Sequence, residues 1–183
     1  GKNPRARFIV TGATQEKKDT WISNSIDTVK TVIMQLYDID LETEYYVHVS
    51  FLQSDPRGMD GPSAGITMTL AIMSQLGDPR LLPEKRKSVP MRQDTAVTGT
   101  VEVMPVIGPN GRVVDVRCGP IGGVFEKSYG SRKRGRMRII IPKSNRENTY
   151  FDRFSGGMEV LGADTVLEYF DLLRADNVQI PVQ

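Results

Sequence analysis

The stretch Asp60-Gly61-Pro62-Ser63-Ala64-Gly65 runs directly into a long apolar segment, residues 66–76. Pro62 has a fixed φ and no N–H, which suits the first turn of a helix, and Asp60 or Gly61 can cap it. Residues 66–76 are apolar all round, so this helix must be buried on most sides, and the rest of the fold has to wrap it. Gly77-Asp78-Pro79 ends it. Ser63 then sits at the helix mouth, where amide N–H groups lack intrahelical partners. Those amides and the helix dipole can stabilise a developing oxyanion, so a serine there is placed as a nucleophile would be. Taken alone, the hexapeptide is read more simply as a plain capped helix start.

Around this helix the pattern alternates between elements. Residues 5–11 read as a strand. Ile22, Ile26, Val29, Ile33 and Leu36 fall on one helical face, with Thr20 as a candidate N-cap. Residues 45–52 read as a strand carrying His48, the only histidine. A lone strand histidine is more often packed and hydrogen-bonded than catalytic. Residues 80–92 are basic and proline-containing and predict a solvated surface loop, with a contact to an acidic partner or neighbouring subunit as the alternative. Residues 95–107 alternate as one strand, Gly108-Pro109-Asn110-Gly111 is a turn, and 112–116 return as its partner. Gly122-Gly123 opens a helix over 124–131, in which Val124 and Lys127 share a face. Residues 137–141 read as a strand ended by Pro142, 145–154 as a short helix or loop, and 158–161 as a short strand. Asp164 is the candidate cap of a last helix with Val166, Tyr169, Phe170 and Leu173 on its apolar face.

Several function classes are disfavoured. With 183 residues and 39% hydrophobic content, the chain can build one ordinary core. No run is long enough to span a bilayer, and no signal-peptide pattern occurs, so no membrane role is indicated. One histidine and one cysteine, Cys118, make a metal site of His and Cys implausible and exclude an internal disulfide. The net charge of +2 does not argue for nucleic acid by itself. The run over 131–138 holds Arg132, Lys133, Arg134, Arg136 and Arg138 but no interleaved aromatic residue, so nucleic acid is a weakly supported partner. No G-x-x-x-x-G-K-[ST] phosphate loop is found, so no cofactor site is expected within these residues.

Four segments, read together, carry a resemblance. They are Asp60 to Gly65, Val97-Thr98-Gly99, Pro120-Ile121-Gly122-Gly123-Val124-Phe125-Glu126-Lys127, and Ile141-Pro142-Lys143-Ser144-Asn145. In order and rough spacing the chain resembles the proteolytic domain of Lon, the ATP-dependent serine protease family with a Ser-Lys dyad. The resemblance implies one α+β domain over 1–183, with mixed sheets packed with helices. It implies Ser63 as nucleophile, Lys127 as the base that activates it and then protonates the leaving amine, and Thr98 as the residue that orients the lysine. Asp60 and Gly61 belong to the nucleophile and oxyanion loop. Burial would favour the neutral amine that such a base needs, and Ile121, Val124 and Phe125 supply apolar surroundings. The family further implies unfolded or misfolded proteins as substrates, a hexameric ring, a cytoplasmic or mitochondrial-matrix location, and ATP with magnesium on an upstream ATPase module. That module and a leading strand hairpin are absent from this sequence. A second reading stays open: a Lon-like assembly domain of a ring ATPase acting on DNA or other cargo, with little or no proteolysis.

Overall fold

The computed structural model describes residues 7–12, 22–50, 63–146 and 157–176. In chain order the elements are β1 (Arg7–Thr11), α1 (Ser23–Tyr37), α2 (Leu41–Glu44), β2 (Tyr46–Ser50), α3 (Ser63–Leu76), β3 (Thr95–Val97) and β4 (Thr100–Ile107). There follow β5 (Val113–Gly119), α4 (Val124–Lys133), β6 (Arg138–Pro142), the one-turn α5 (Lys143–Arg146), β7 (Glu159–Ala163) and α6 (Val166–Leu173). β1 and β2 pair in parallel, β3-β6-β7 form a parallel sheet with β6 in the middle, and β4 and β5 form an antiparallel hairpin. Helices pack on these sheets of both kinds, so the fold is α+β. No helix among the described residues is long and apolar enough to cross a membrane.

Strand β6 divides the interior. Its run Ile139-Ile140-Ile141 is fully buried, as a parallel strand covered on both faces must be. Ile139 and Ile141 face a small cluster with Met158 and Val160, against which Val124 of α4 packs. Ile140 faces the other way, into the main core. There α1 contributes Val29, Val32 and Ile33, α3 contributes Ile66, Leu70 and Met73, and α6 contributes Val166, Tyr169, Phe170 and Leu173.

Most amphipathic faces match their sequence pattern. In α1, Val29 and Ile33 are buried as expected; Val32 and Tyr37 join them, and Ile26 and Leu36 lie at the margin. The Tyr37 hydroxyl donates to the Gly77 carbonyl at 2.6 Å, tying α1 to the end of α3. Thr20, the candidate cap of α1, lies outside the described residues. Helix α3 shows a thin outer stripe, Thr67, Ala71 and Gln75, and is otherwise covered. It stops at Gly77, whose φ is +91° and whose N–H donates to Met73 O at 2.8 Å. A Cβ there would meet Lys87 O at 2.5 Å, so the turn requires glycine twice over. Part of the span 145–154 and the end of the 45–52 strand also fall outside the described residues.

Two expectations are corrected. Residues 95–107 are two strands, because the chain turns at Thr98-Gly99, leaves β6 and joins β5. The cap of α6 is Thr165, not Asp164. Thr165 Oγ1 accepts from Glu168 N–H at 3.3 Å, while Glu168 Oε2 reaches back to Asp164 N–H at 2.9 Å, a variant of the capping box.

The basic loop over 80–92 is largely exposed, as expected of a surface loop, but it is pinned to the body of the domain. Arg80 donates to both Asp78 and Asp171, and Arg174 donates to Asp78 and Asp176. Arg86 lies 5.1 Å over the Tyr37 ring. Val89 is buried, and its N–H donates to Ser74 O at 2.7 Å.

Candidate active site

Lys127 is carried by α4, and the way that helix starts sets where the amine goes. Gly123 at its N-cap takes φ +64°, a left-handed conformation that suits glycine. Lys127 N–H then donates to Gly123 O at 3.1 Å, closing the first turn. Just upstream, Asn145 clasps Ile121: its Oδ1 accepts from Ile121 N–H and its Nδ2 donates to Ile121 O, both at 3.0 Å. The amide side chain thus mimics a strand partner and fixes the Pro120-Ile121-Gly122-Gly123 entry. Sequence reasoning quoted Asn145 without giving it a task. The signal was there in the amide itself, which can offer one donor and one acceptor side by side.

The two faces of α4 differ sharply. On the inner face Val124 packs on β6, Ser128 is buried with its Oγ donating to Val124 O at 2.7 Å, and Lys127 is half-buried between them. Burial lowers the Lys127 amine below the ordinary lysine range, and no charged neighbour among the described residues acts on it in the other direction. The outer face carries Phe125 and Tyr129, half exposed, their rings parallel within 11° and 6.5 Å apart, with Lys133 Nζ 4.6 Å above Tyr129. Phe125, expected in the lysine's apolar surroundings, therefore belongs to the opposite face. Aromatic rings do precede the basic run on the helix surface, Tyr129 lying three residues before Arg132 and four before Lys133.

Thr98 lies at the corner between β3 and β4, 3% exposed. Its N–H donates to Ile140 O at 3.0 Å. Thr98 and the lysine helix are thus both anchored on β6, one through a main-chain bond and the other through Val124. The Thr98 hydroxyl has no hydrogen-bond partner among the described residues. Ser63 is the first residue of α3, which places its backbone at the helix mouth. Its side chain, with Asp60 and Gly61, lies outside the described residues. His48 is exposed on β2 and hydrogen-bonds Thr11 Oγ1 at 2.9 Å, an ordinary cross-strand tie between neighbours of the β1–β2 pair.

The family model of the Lon protease (S16) C-terminal proteolytic domain matches residues 3–168. The chain belongs to this Lon family. An archaeal Lon protease of Thermococcus kodakarensis is 31% identical over 172 residues, covering 93% of the chain and 23% of the relative. An archaeal Lon protease of Halobacterium salinarum is 28% identical over 167 residues, covering 91% of the chain and 20% of the relative. A Lon protease of Desulfatibacillum aliphaticivorans is 36% identical over 113 residues, covering 60% of the chain and 11% of the relative. The chain spans about a fifth of the length of the two archaeal Lon proteases.

Proposed function

We propose that this Lon domain is a serine endopeptidase in which Lys127 serves as the base for Ser63. The observation that carries this reading is the state of the lysine: a half-buried amine, lowered by burial, with no carboxylate among the described residues that raises it. An ammonium cannot accept a proton, whereas a desolvated neutral amine can, so burial does here what an imidazole does in a Ser-His site. The Lys127 amine takes the proton from the Ser63 hydroxyl as the serine oxygen bonds to the scissile carbonyl carbon. The oxygen that gains charge is met by main-chain N–H groups at the α3 mouth, beside Asp60 and Gly61. Lys127 then gives its proton to the leaving amine, and the acyl-enzyme is cleared by a water that the same amine deprotonates. Thr98 orients the amine through its uncommitted hydroxyl.

By family membership, the substrates are unfolded or misfolded proteins fed by an ATP- and magnesium-dependent unfoldase in a hexameric ring. The test is casein cleavage by the full-length polypeptide with ATP and magnesium, comparing wild type with Ser63→Ala and Lys127→Ala. Cleavage lost in both variants supports the dyad. The assembly-domain reading draws on the exposed aromatic-basic face of α4, and a properly assembled wild type without any cleavage would favour it.

A further inference from the structure

Thr98 shows an unusual division between its main chain and its side chain. Both main-chain groups are bonded: the N–H to Ile140 O at 3.0 Å, and the carbonyl to the Tyr169 hydroxyl, which donates to it at 2.9 Å. The side-chain hydroxyl, buried in the same place, has no partner among the described residues. Buried hydroxyls are nearly always paired, because an unpaired one forfeits its hydration for nothing. A fold that spends two hydrogen bonds to fix this residue and none on its hydroxyl leaves that hydroxyl for something else.

Tyr169 is the long-range half of the arrangement. It comes from α6, is fully buried, and reaches across to the corner where β3 and β4 part company. Gly99, next to Thr98, lies so close that a Cβ would come within 2.5 Å of the Tyr169 hydroxyl oxygen. Burial pushes the phenol well above the ordinary tyrosine value, so it keeps its proton and stays a donor. The carbonyl it serves stands at the point where the chain leaves one sheet for another, and no main-chain N–H among the described residues bonds it.

We infer that Tyr169 is a positioning residue for peptide cleavage: its hydroxyl fixes the Thr98-Gly99 corner so that Thr98 Oγ1 is held toward the Lys127 amine. This rests on the dyad reading above. The residue touches neither substrate nor the reacting atoms and acts through Thr98.

The test is a double-mutant cycle on casein cleavage by the full-length polypeptide with ATP and magnesium. Tyr169→Phe keeps the ring and removes only the hydroxyl. It is expected to lower kcat about tenfold at unchanged KM. In a Thr98→Val background the same change should lower kcat by less than about twofold, because the hydroxyl being positioned is already gone. An equal fall in both backgrounds, or none in the wild-type background, overturns the inference. Should Tyr169→Phe fail to fold, Gly99→Ala keeps the phenol and displaces the corner. It should also lower kcat at constant KM, and a normal kcat there overturns the proposal. If Lys127→Ala and Ser63→Ala are inactive while Tyr169→Phe is normal, this inference alone fails. If Ser63→Ala or Lys127→Ala cuts as fast as wild type, the dyad reading itself fails.

Discussion

Two buried polar regions of this domain are built on opposite plans. At the end of α3, Asp78 is surrounded by Arg80 and Arg174, which in turn engage Asp171 and Asp176, so every charge has a partner. Burial pushes the Asp78 carboxyl up, but hydrogen bonds from Arg80 and Arg174 outweigh it and hold the group below the ordinary carboxylate range. At β6, by contrast, the Lys127 amine is lowered by burial alone, and the Thr98 hydroxyl has no partner among the described residues. Saturating a polar group stabilises a fold; leaving one unspent costs stability and keeps it available for chemistry. The first region joins the basic loop to the C-terminal part of the chain. The second carries the machinery proposed for proton transfer.

Breaking each region should therefore be read out differently. Lys127→Ala should reduce casein cleavage by at least about a thousandfold. It should move the melting temperature by no more than a few degrees, as scanning calorimetry would show. Asp78→Asn should do the reverse. Removing the charge weakens the hold on Arg174, whose side chain is 8% exposed and which keeps Asp176, at a cost of about 1–3 kcal/mol in urea unfolding. Cleavage per folded molecule should be unchanged.

Acid separates the regions as well. Asp78 is lowered on folding, so its contribution is in place above the ordinary aspartate value and is lost as pH falls through the lower folded-state value. Stability measured against pH should show that acid limb in wild type and a weaker one in Asp78→Asn. Asn145→Ala removes both bonds to Ile121 and loosens the entry to α4. It should lower kcat about tenfold, with a smaller change in KM. The least effect belongs to Phe125→Ala on the exposed face of α4. A change of about 0.5–1 kcal/mol from the lost Tyr129 stack is expected, with normal cleavage of casein.

Sequence reasoning worked where structure is local. The faces of α1 and α6 follow from apolar spacing, the burial of α3 from its apolar run, and Gly77 and Gly123 mark the end of α3 and the start of α4 through conformations that glycine favours. It missed what is decided at long range. Alternation runs unbroken through Val97-Thr98-Gly99-Thr100-Val101, and only the approach of Tyr169 from α6 shows why one strand becomes two. Arg80 reads as a solvated cation until Asp171, far along the chain, is brought beside it. Thr165 rather than Asp164 caps α6, a shift of one residue at a helix end. Lys127 owed its assignment to four motifs in order, since helical periodicity shows only that it shares a face with Val124. Its burial, and the placing of Phe125 on the far side, needed the packing of α4 on β6.

The account turns on a lysine whose amine burial lowers below the ordinary lysine range. Its most direct test is the titration of the Lys127 side chain by NMR, with the amine nitrogen labelled with nitrogen-15, alongside casein cleavage across the same pH range. The amine should titrate below the ordinary lysine value of about 10.4, and cleavage should rise with pH through that same lowered value. A Lys127 that titrates at or above the ordinary value, in a domain that nevertheless cuts casein at neutral pH, would contradict it.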